Sequence, residues 1–340
     1  MAYTETNGLA HGGCLNDAVI QFNIPLSHWL DLSTGINPNP WPVPLIPPRV
    51  WSRLPENNDG LELAASRYYG VANLLAVAGS QSAIQSIPRL FQANGLRERR
   101  VGVLHPSYNE HAHAWRAAGY QVILLTAAEI DHEIGHLDVL VLVNPNNPTG
   151  ELFNKVQLLE WHNKLQFRGG TLIIDEAFMD ALLHFSLIES SKLRGLIVLR
   201  SLGKFFGMAG IRLGFVFAEN VVLQQLENML GPWSIATPSR WVATQALTDT
   251  DWQNRIRVQL AKTSKRLNTL LCDGGLMPTG GTHFFQWLVY KDAKRVYQQL
   301  AEQGILIRLF TQPRSLRFGL PGTEQEWARL ASAIQLLELK

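Results

Sequence analysis

Short runs of apolar, often β-branched residues recur along the first two thirds of the chain, each bounded by Gly, Pro, Asn or Asp. The runs Leu74–Ala78, Val101–Leu104, Val122–Leu125, Val139–Val143, Leu172–Ile174, Ile197–Leu199 and Leu213–Phe217 are too short for helices and lack polar alternation. That pattern predicts seven strands buried on both faces. Stretches 81–94, 108–118 and 154–168 place apolar residues at mixed three- and four-residue spacing and predict helices. Alternating strand and helix predicts an α/β fold with a mostly parallel sheet covered on both sides. After Pro232 the pattern changes. A long helical region at 238–272 is followed by Phe284–Val289, Leu306–Phe310 and Leu316–Phe318, then by a helix at 323–339, the mark of a smaller α+β domain. The proline run from Pro38 to Pro48 fits neither a helix interior nor a central strand, so residues 31–60 read as an extended arm. The expected division is a large domain over 46–231, and a small one built from 1–45 and 232–340.

Composition narrows the class. The 340 residues are 46% hydrophobic and 17% charged, which excludes a disordered chain or a coiled coil. With 30 basic and 28 acidic residues the formal charge is +2, and no long single-sign run occurs. A nucleic-acid or anionic-membrane surface is therefore not indicated. Cys14 and Cys272 stand far apart with no Cys/His cluster around either, so no disulfide framework or zinc site is expected and a cytoplasmic setting fits. Residues 1–10 lack the basic start and apolar block of a secretory leader. The longest charge-free stretch, Tyr68 to Pro88, is broken by Asn73, Gly79, Ser80 and Gln81, so no membrane span is expected.

Four segments at expected strand ends carry candidate chemistry, where open α/β sheets bind ligands. Gly79-Ser80-Gln81 opens a helix, and its free amides suit an anion such as phosphate, although small-residue turns before helices are common. Asn144-Pro145-Asn146-Asn147-Pro148-Thr149-Gly150 is a stiff turn holding polar side chains at the sheet edge. Asp175-Glu176 ends a strand, where a carboxylate can cap a helix, pair with a buried cation or hold a metal. Only Asp180 stands nearby as a further ligand, which disfavours the metal. Ser201-Leu202-Gly203-Lys204, followed by Arg212, sets one lysine among apolar residues, a setting that makes an amine nucleophilic for Schiff-base chemistry.

Taken together these segments resemble the pyridoxal-phosphate enzymes of fold type I, the aspartate aminotransferase-like class I/II family. Asn147 lies within NPTG, Asp175 follows 28 residues later, Lys204 a further 29, and Arg212 eight after that, in the family's order and with its S-x-x-K-x7-R signature. The resemblance implies a seven-stranded, mostly parallel sheet with a smaller α+β domain, and pyridoxal 5'-phosphate as cofactor. It implies that Lys204 is the catalytic residue that carries the cofactor. Asp175 would pair with the pyridine nitrogen and Asn147 with the 3-oxygen, while Tyr108 would stack on the ring. Ser80, Gln81, Ser201 and Arg212 would hold the cofactor phosphate. For the substrate it implies His11, Gly35, Asn147, Arg308 and Arg317, with Arg317 on the α-carboxylate and Arg308 and His11 on a phosphate.

Within the family, His11-Gly12-Gly13, Leu32-Ser33-Thr34-Gly35-Ile36-Asn37-Pro38 and Gly231-Pro232-Trp233-Ser234 look like the branch that decarboxylates threonine phosphate in cobalamin biosynthesis. Its sister branch is the histidinol-phosphate aminotransferases. The resemblance therefore implies loss of CO2 from L-threonine O-3-phosphate, with transamination of a phosphorylated amino compound as the alternative, in a cytoplasmic homodimer. A regulator that keeps the fold to sense the cofactor would need a DNA-binding segment, and no basic helix-turn-helix pattern is present. Two departures stand out. Phe178 in Asp175-Glu176-Ala177-Phe178 occupies a place where relatives often carry tyrosine. Leu54 in Arg53-Leu54-Pro55 does the same for a tyrosine that reaches the neighbouring subunit's cofactor phosphate.

Overall fold

The computed structural model describes residues 11–95 and 100–339; the reading of residues 1–10 as carrying no leader lies outside them. The chain forms two compact units, Met1–Gly35 with Thr263–Lys340, and Ile36–Lys262. The sequence placed these divisions at 45/46 and 231/232. The arm from Ile36 belongs with the large unit because its backbone is bonded there: Asn37 N donates to Lys204 O at 3.0 Å and Trp41 N to Phe206 O at 2.9 Å. Residues 232–262 join it through Arg240, which pairs with Asp59 and Glu62.

In chain order the strands are β1 (Leu30–Asp31), β2 (Leu74–Val77), β3 (Arg100–Leu104), β4 (Gln121–Leu125), β5 (Val139–Val143), β6 (Thr171–Asp175) and β7 (Leu196–Ser201). They continue with β8 (Gly214–Phe217), β9 (Gly280–Thr282), β10 (Phe285–Val289), β11 (Ile305–Leu306), β12 (Arg308–Thr311) and β13 (Arg314–Gly319). The large unit holds a seven-stranded sheet in the order β2-β8-β7-β6-β5-β3-β4. All of its pairings are parallel except those of β8, which runs antiparallel to β2 and β7. Each strand coincides with one of the seven apolar runs. Successive side chains alternate between faces. One face packs Val103, Val141, Ile173 and Leu199 against Ile84, Ile87 and Phe91 of the helix Gly79–Ala93 and Trp115 of the helix Asn109–Ala117.

The small unit carries a four-stranded antiparallel sheet, β12-β13-β10-β9, and a two-stranded parallel one, β1-β11. The run expected as a single strand over 306–310 divides, because Ile305–Leu306 pairs with β1 while Arg308–Thr311 pairs with β13. The helical region expected over 238–272 is two helices, Thr237–Thr248 and Thr250–Asp273, broken at Asp249. The Asp249 side chain accepts from Trp252 N and from Trp41 Nε1, a local bond that competes with helix continuation.

Beneath the ends of β6 and β7 lies a fully buried ionic cluster. Arg200 of β7 has no exposed surface, and its Nη1 reaches Asp180 Oδ1 and its Nη2 reaches Glu176 Oε2, each at 3.1 Å. Ser186 Oγ donates to Glu176 at 2.5 Å, Leu187 N donates to the other Glu176 oxygen at 2.8 Å, and Tyr68 OH donates to Asp180 at 3.2 Å. Arg257 donates to Asp180 O and to Tyr68 OH. Burial drives the Glu176 and Asp180 carboxyls above their usual range against the pull of Arg200. Burial also works against the Arg200 charge, but Asp180 and Glu176 outweigh it and hold that guanidinium above its ordinary value. Removing one partner of such a cluster strands the others without water. Arg200→Leu is therefore expected to cost about 3–5 kcal/mol in urea unfolding; a loss under 1 kcal/mol would show that the cluster contributes little.

Candidate active site

The residues singled out by sequence fall into two groups, one in each unit. In the large unit Ser80, Gln81, Tyr108, Asn147, Asp175, Ser201, Lys204 and Arg212 all lie at one edge of the seven-stranded sheet. The carboxyl ends of β3, β5, β6 and β7 meet there, and because β2 is antiparallel to β8 its end, Val77, lies at the same edge, paired with Gly214. Parallel connections return the chain to the opposite edge each time, so loops far apart in sequence collect here.

Asp175 ends β6 with its side chain buried. Its Oδ1 accepts from Ala177 N at 3.1 Å, and its Oδ2 lies 3.0 Å from Nε2 of His111, also buried. A carboxylate only accepts, so His111 carries its proton on Nε2. Sequence reading missed His111. Its signal was a histidine three residues after Tyr108, one turn along the helix Asn109–Ala117.

Around the Asn-rich turn, Asn144 N donates to Asp175 O at 2.9 Å and its side chain exchanges bonds with Phe153 N and O. Asn146 receives Ser107 Oγ at 2.7 Å and donates to Pro106 O and to Thr149 Oγ1. The turns after β3 and β5 are thus stitched together, with half-buried Asn147 between two fixed neighbours.

Lys204 sits in the short helix Leu202–Phe205 directly after β7, with Nζ 5.7 Å from the centre of the Phe178 ring. Where relatives often have a phenol, the lysine here faces an aromatic surface. Its segment is clamped by the arm. Asn37 Nδ2 donates to Phe205 O at 2.9 Å, and Gly207 has φ +68°, where a Cβ would lie 2.6 Å from Pro40 Cα. Glycine tolerates both the angle and the contact.

Arg212 holds a left-handed backbone, φ 47°, with Nη1 donating to Ala209 O at 3.2 Å. A Cβ on Gly79, itself at φ +72°, would lie 2.8 Å from Arg212 Nη2. The missing side chain lets a guanidinium rest against the first turn of the helix Gly79–Ala93, whose leading amides have no helical acceptor. Gly214 lets the strand β8 lie close to the same turn, since a Cβ there would lie 2.8 Å from Ser80 N. A cation, open amides and the nearby Ser201 suit a dianionic phosphate ester. A buried carboxylate, a tyrosine ring and a lysine amine together are the kind of groups that suit a planar, protonated heterocycle bearing a carbonyl.

The small unit brings together His11, Arg308 and Arg317; Gly35, buried, ends that unit's N-terminal segment. Arg308 and Arg317 are direct partners across β12 and β13. Arg317 is buried, donates to Ser33 O at 2.7 Å and lies over the Phe285 ring. Arg308 donates to the main-chain oxygen of His11 at 2.9 Å and lies over Phe310. That contact is made to the His11 main-chain carbonyl. Burial first, and then Arg308, push the Arg317 guanidinium down to about 9.

Glu176 and Asp180, weighed in the sequence as metal ligands, serve as counter-ions of Arg200. The sequence also left Arg200 itself unread. Its signal was a lone charge inside a buried strand, which requires a buried partner.

The sequence profile of the aminotransferase class I and II family matches residues 54–334. The chain belongs to that family. Among family members, the threonine-phosphate decarboxylase of Pseudomonas aeruginosa is 52% identical over 326 residues, covering 96% of this chain and 97% of that protein. A threonine-phosphate decarboxylase from Sinorhizobium sp. is 37% identical, covering 97% of this chain and 99% of its own. In structure, the histidinol-phosphate aminotransferase of Sinorhizobium meliloti in complex with pyridoxal-5'-phosphate superposes with a TM-score of 0.80 at 19% identity, covering 98% of this chain and 97% of that one. That likeness places the chain in the aminotransferase-type α/β fold with its mostly parallel sheet.

His111→Phe leaves Asp175 buried with one partner fewer. The expected loss is about 1–3 kcal/mol in urea unfolding, and His111→Gln, which keeps a donor, should lose less. Equal losses would show that the contact with Asp175 is not what His111 contributes.

Proposed function

We propose that this chain removes CO2 from L-threonine O-3-phosphate, giving (R)-1-amino-2-propanol O-2-phosphate, with pyridoxal 5'-phosphate held on Lys204. The observation that carries the substrate class is the cross-strand pair Arg308 and Arg317. Like charges set directly opposite on adjacent strands destabilise a sheet, and here one of them is also buried. An incoming molecule with both a phosphate and a carboxylate relieves that repulsion at both positions. The 52% identical relative bears the matching name, and a role in cobalamin synthesis is consistent with it.

The large-unit residues fit the cofactor. Arg212, resting in the space that Gly79 leaves, would hold its phosphate with Ser201 and the amides of Ser80 and Gln81. Asp175 would keep the ring nitrogen protonated, Asn147 would donate to the 3-oxygen, and Tyr108 would stack on the ring. When bound, the cofactor supplies a conjugated system that accepts an electron pair from Cα. Arg317 would grip the substrate carboxylate, with Arg308 on the phosphate and His11, Gly35 and Asn147 lining the substrate. By fixing the carboxylate, Arg317 would decide which bond to Cα is set to break. Lys204 would donate the proton that takes the place of the departing carboxylate on Cα.

The reading includes a cytoplasmic homodimer. The exposed apolar residues of the arm, Val43, Leu45, Trp51 and Leu54, support a second copy against it. The free thiols of Cys14 and Cys272 support a reducing compartment. Among the described residues no helix is long and apolar enough to cross a membrane.

Threonine phosphate supplied without any keto acid should release CO2 over many turnovers while the cofactor stays in its aldehyde form. One equivalent of pyridoxamine phosphate and no CO2 would instead establish the aminotransferase reading. Arg317→Ala should raise KM about 100-fold, the loss of roughly 3 kcal/mol of charged hydrogen bonding. In the parent, substrate affinity should hold below pH 9 and fall as the Arg317 guanidinium, pushed down to about 9, loses its proton; affinity flat to pH 11 would contradict the role of that charge.

A further inference from the structure

We propose that Glu110 and Gln81 form a positioning relay that fixes the hydroxyl, and with it the ring, of Tyr108. The proposal rests on the reading above only in taking Tyr108 as the cofactor's stacking residue. Gln81 lies in the first turn of the helix Gly79–Ala93, and Glu110 in the first turn of the helix that Tyr108 precedes. Glu110 is 8% exposed, and a carboxylate so placed needs donors. Gln81 Nε2 supplies one at 2.5 Å, and Gln81 Oε1 accepts from Tyr108 OH at 3.1 Å.

The order of these bonds is set by chemistry. A carboxylate only accepts, so the amide must turn its NH2 group toward Glu110. Its carbonyl then faces the other way, where the only partner it can take is a donor. The Tyr108 hydroxyl meets it and commits its proton to Gln81. The same ring meets His111 in a T-shaped contact, 6.1 Å between centres at 82°. Tyr108 is thus held at its hydroxyl by Gln81 and at its ring by the histidine that contacts Asp175.

The charges around the phenol agree with this. Burial, then Glu110 and Asp175, push Tyr108 up to about 12 while Arg212 pulls it down, so it stays neutral and remains a donor at any working pH. Gln81, expected from sequence to act through its backbone amide on the cofactor phosphate, has a second task through its side chain. Gln81→Ala removes the second task and leaves the amide in place.

The test uses Gln81→Ala, Glu110→Gln, Tyr108→Phe and the double variant Gln81→Ala/Tyr108→Phe. In cofactor-free protein, ultraviolet difference titration isolates Tyr108 as the transition missing from Tyr108→Phe. Gln81→Ala and Glu110→Gln should each lower its midpoint by at least about one unit, the first by removing the acceptor and the second by removing the charge. In a separate arm, pyridoxal phosphate affinity should fall about tenfold in Gln81→Ala and in Tyr108→Phe, and no further in the double variant. An unmoved tyrosine midpoint, or losses that add, would overturn the relay. If the parent takes up no pyridoxal phosphate, the cofactor reading fails by itself, and the titration still decides the relay.

Discussion

A guanidinium without exposed surface, Arg200, is the constraint around which the candidate site is arranged. Inside a low-dielectric core it cannot stand without counter-charge, and it takes Glu176 and Asp180 from the loop that follows β6. Glu176 is the next residue after Asp175, so on a strand end whose side chains alternate, one carboxylate is drawn under the sheet edge while the other meets His111. The same cluster reaches Tyr68 and Arg257, and Arg257 lies over Phe205, beside Lys204. The carboxylate and the lysine are thereby referred to one rigid point. Side chains for chemistry need supporting partners of this kind to hold their geometry.

Much of the large unit was legible because fully buried parallel strands must be continuous apolar runs, and the seven runs are the seven strands. The signature residues were legible because they stand at strand ends and in the turns and short helices that follow, where polar residues among prolines and glycines break the apolar runs. The small unit was less legible. β1 and β9 are two and three residues long, below any periodicity, and the run over 306–310 is continuous in hydrophobicity although its two halves answer to different partners. His111, Arg200 and the side-chain task of Gln81 were hidden for another reason. Each acts on a residue distant in sequence, at separations of 64, 20 and 27 positions, and no local pattern encodes such a pairing.

The candidate residues fall in both units, one group in each. The large unit gathers a lysine, a buried carboxylate, a tyrosine and an arginine beside a helix's first turn at one end of its sheet. The small unit sets two arginines directly opposite each other on adjacent strands. Both departures from the family pattern lie with the large unit: Phe178 offers Lys204 a ring face in place of a hydroxyl, and Leu54 is exposed on the arm. A decarboxylase asks less of the lysine's environment than a transaminase does, since it need not carry a proton to a second carbon.

The central claim is that one amine, that of Lys204, carries the cofactor. Protein reconstituted with pyridoxal phosphate and reduced with borohydride fixes the attachment permanently, and peptide mass spectrometry then locates it. The account predicts a single pyridoxyl group on the peptide containing Lys204, absent from Lys204→Ala. A group on another lysine, or none at all on protein that has taken up the cofactor, would contradict it.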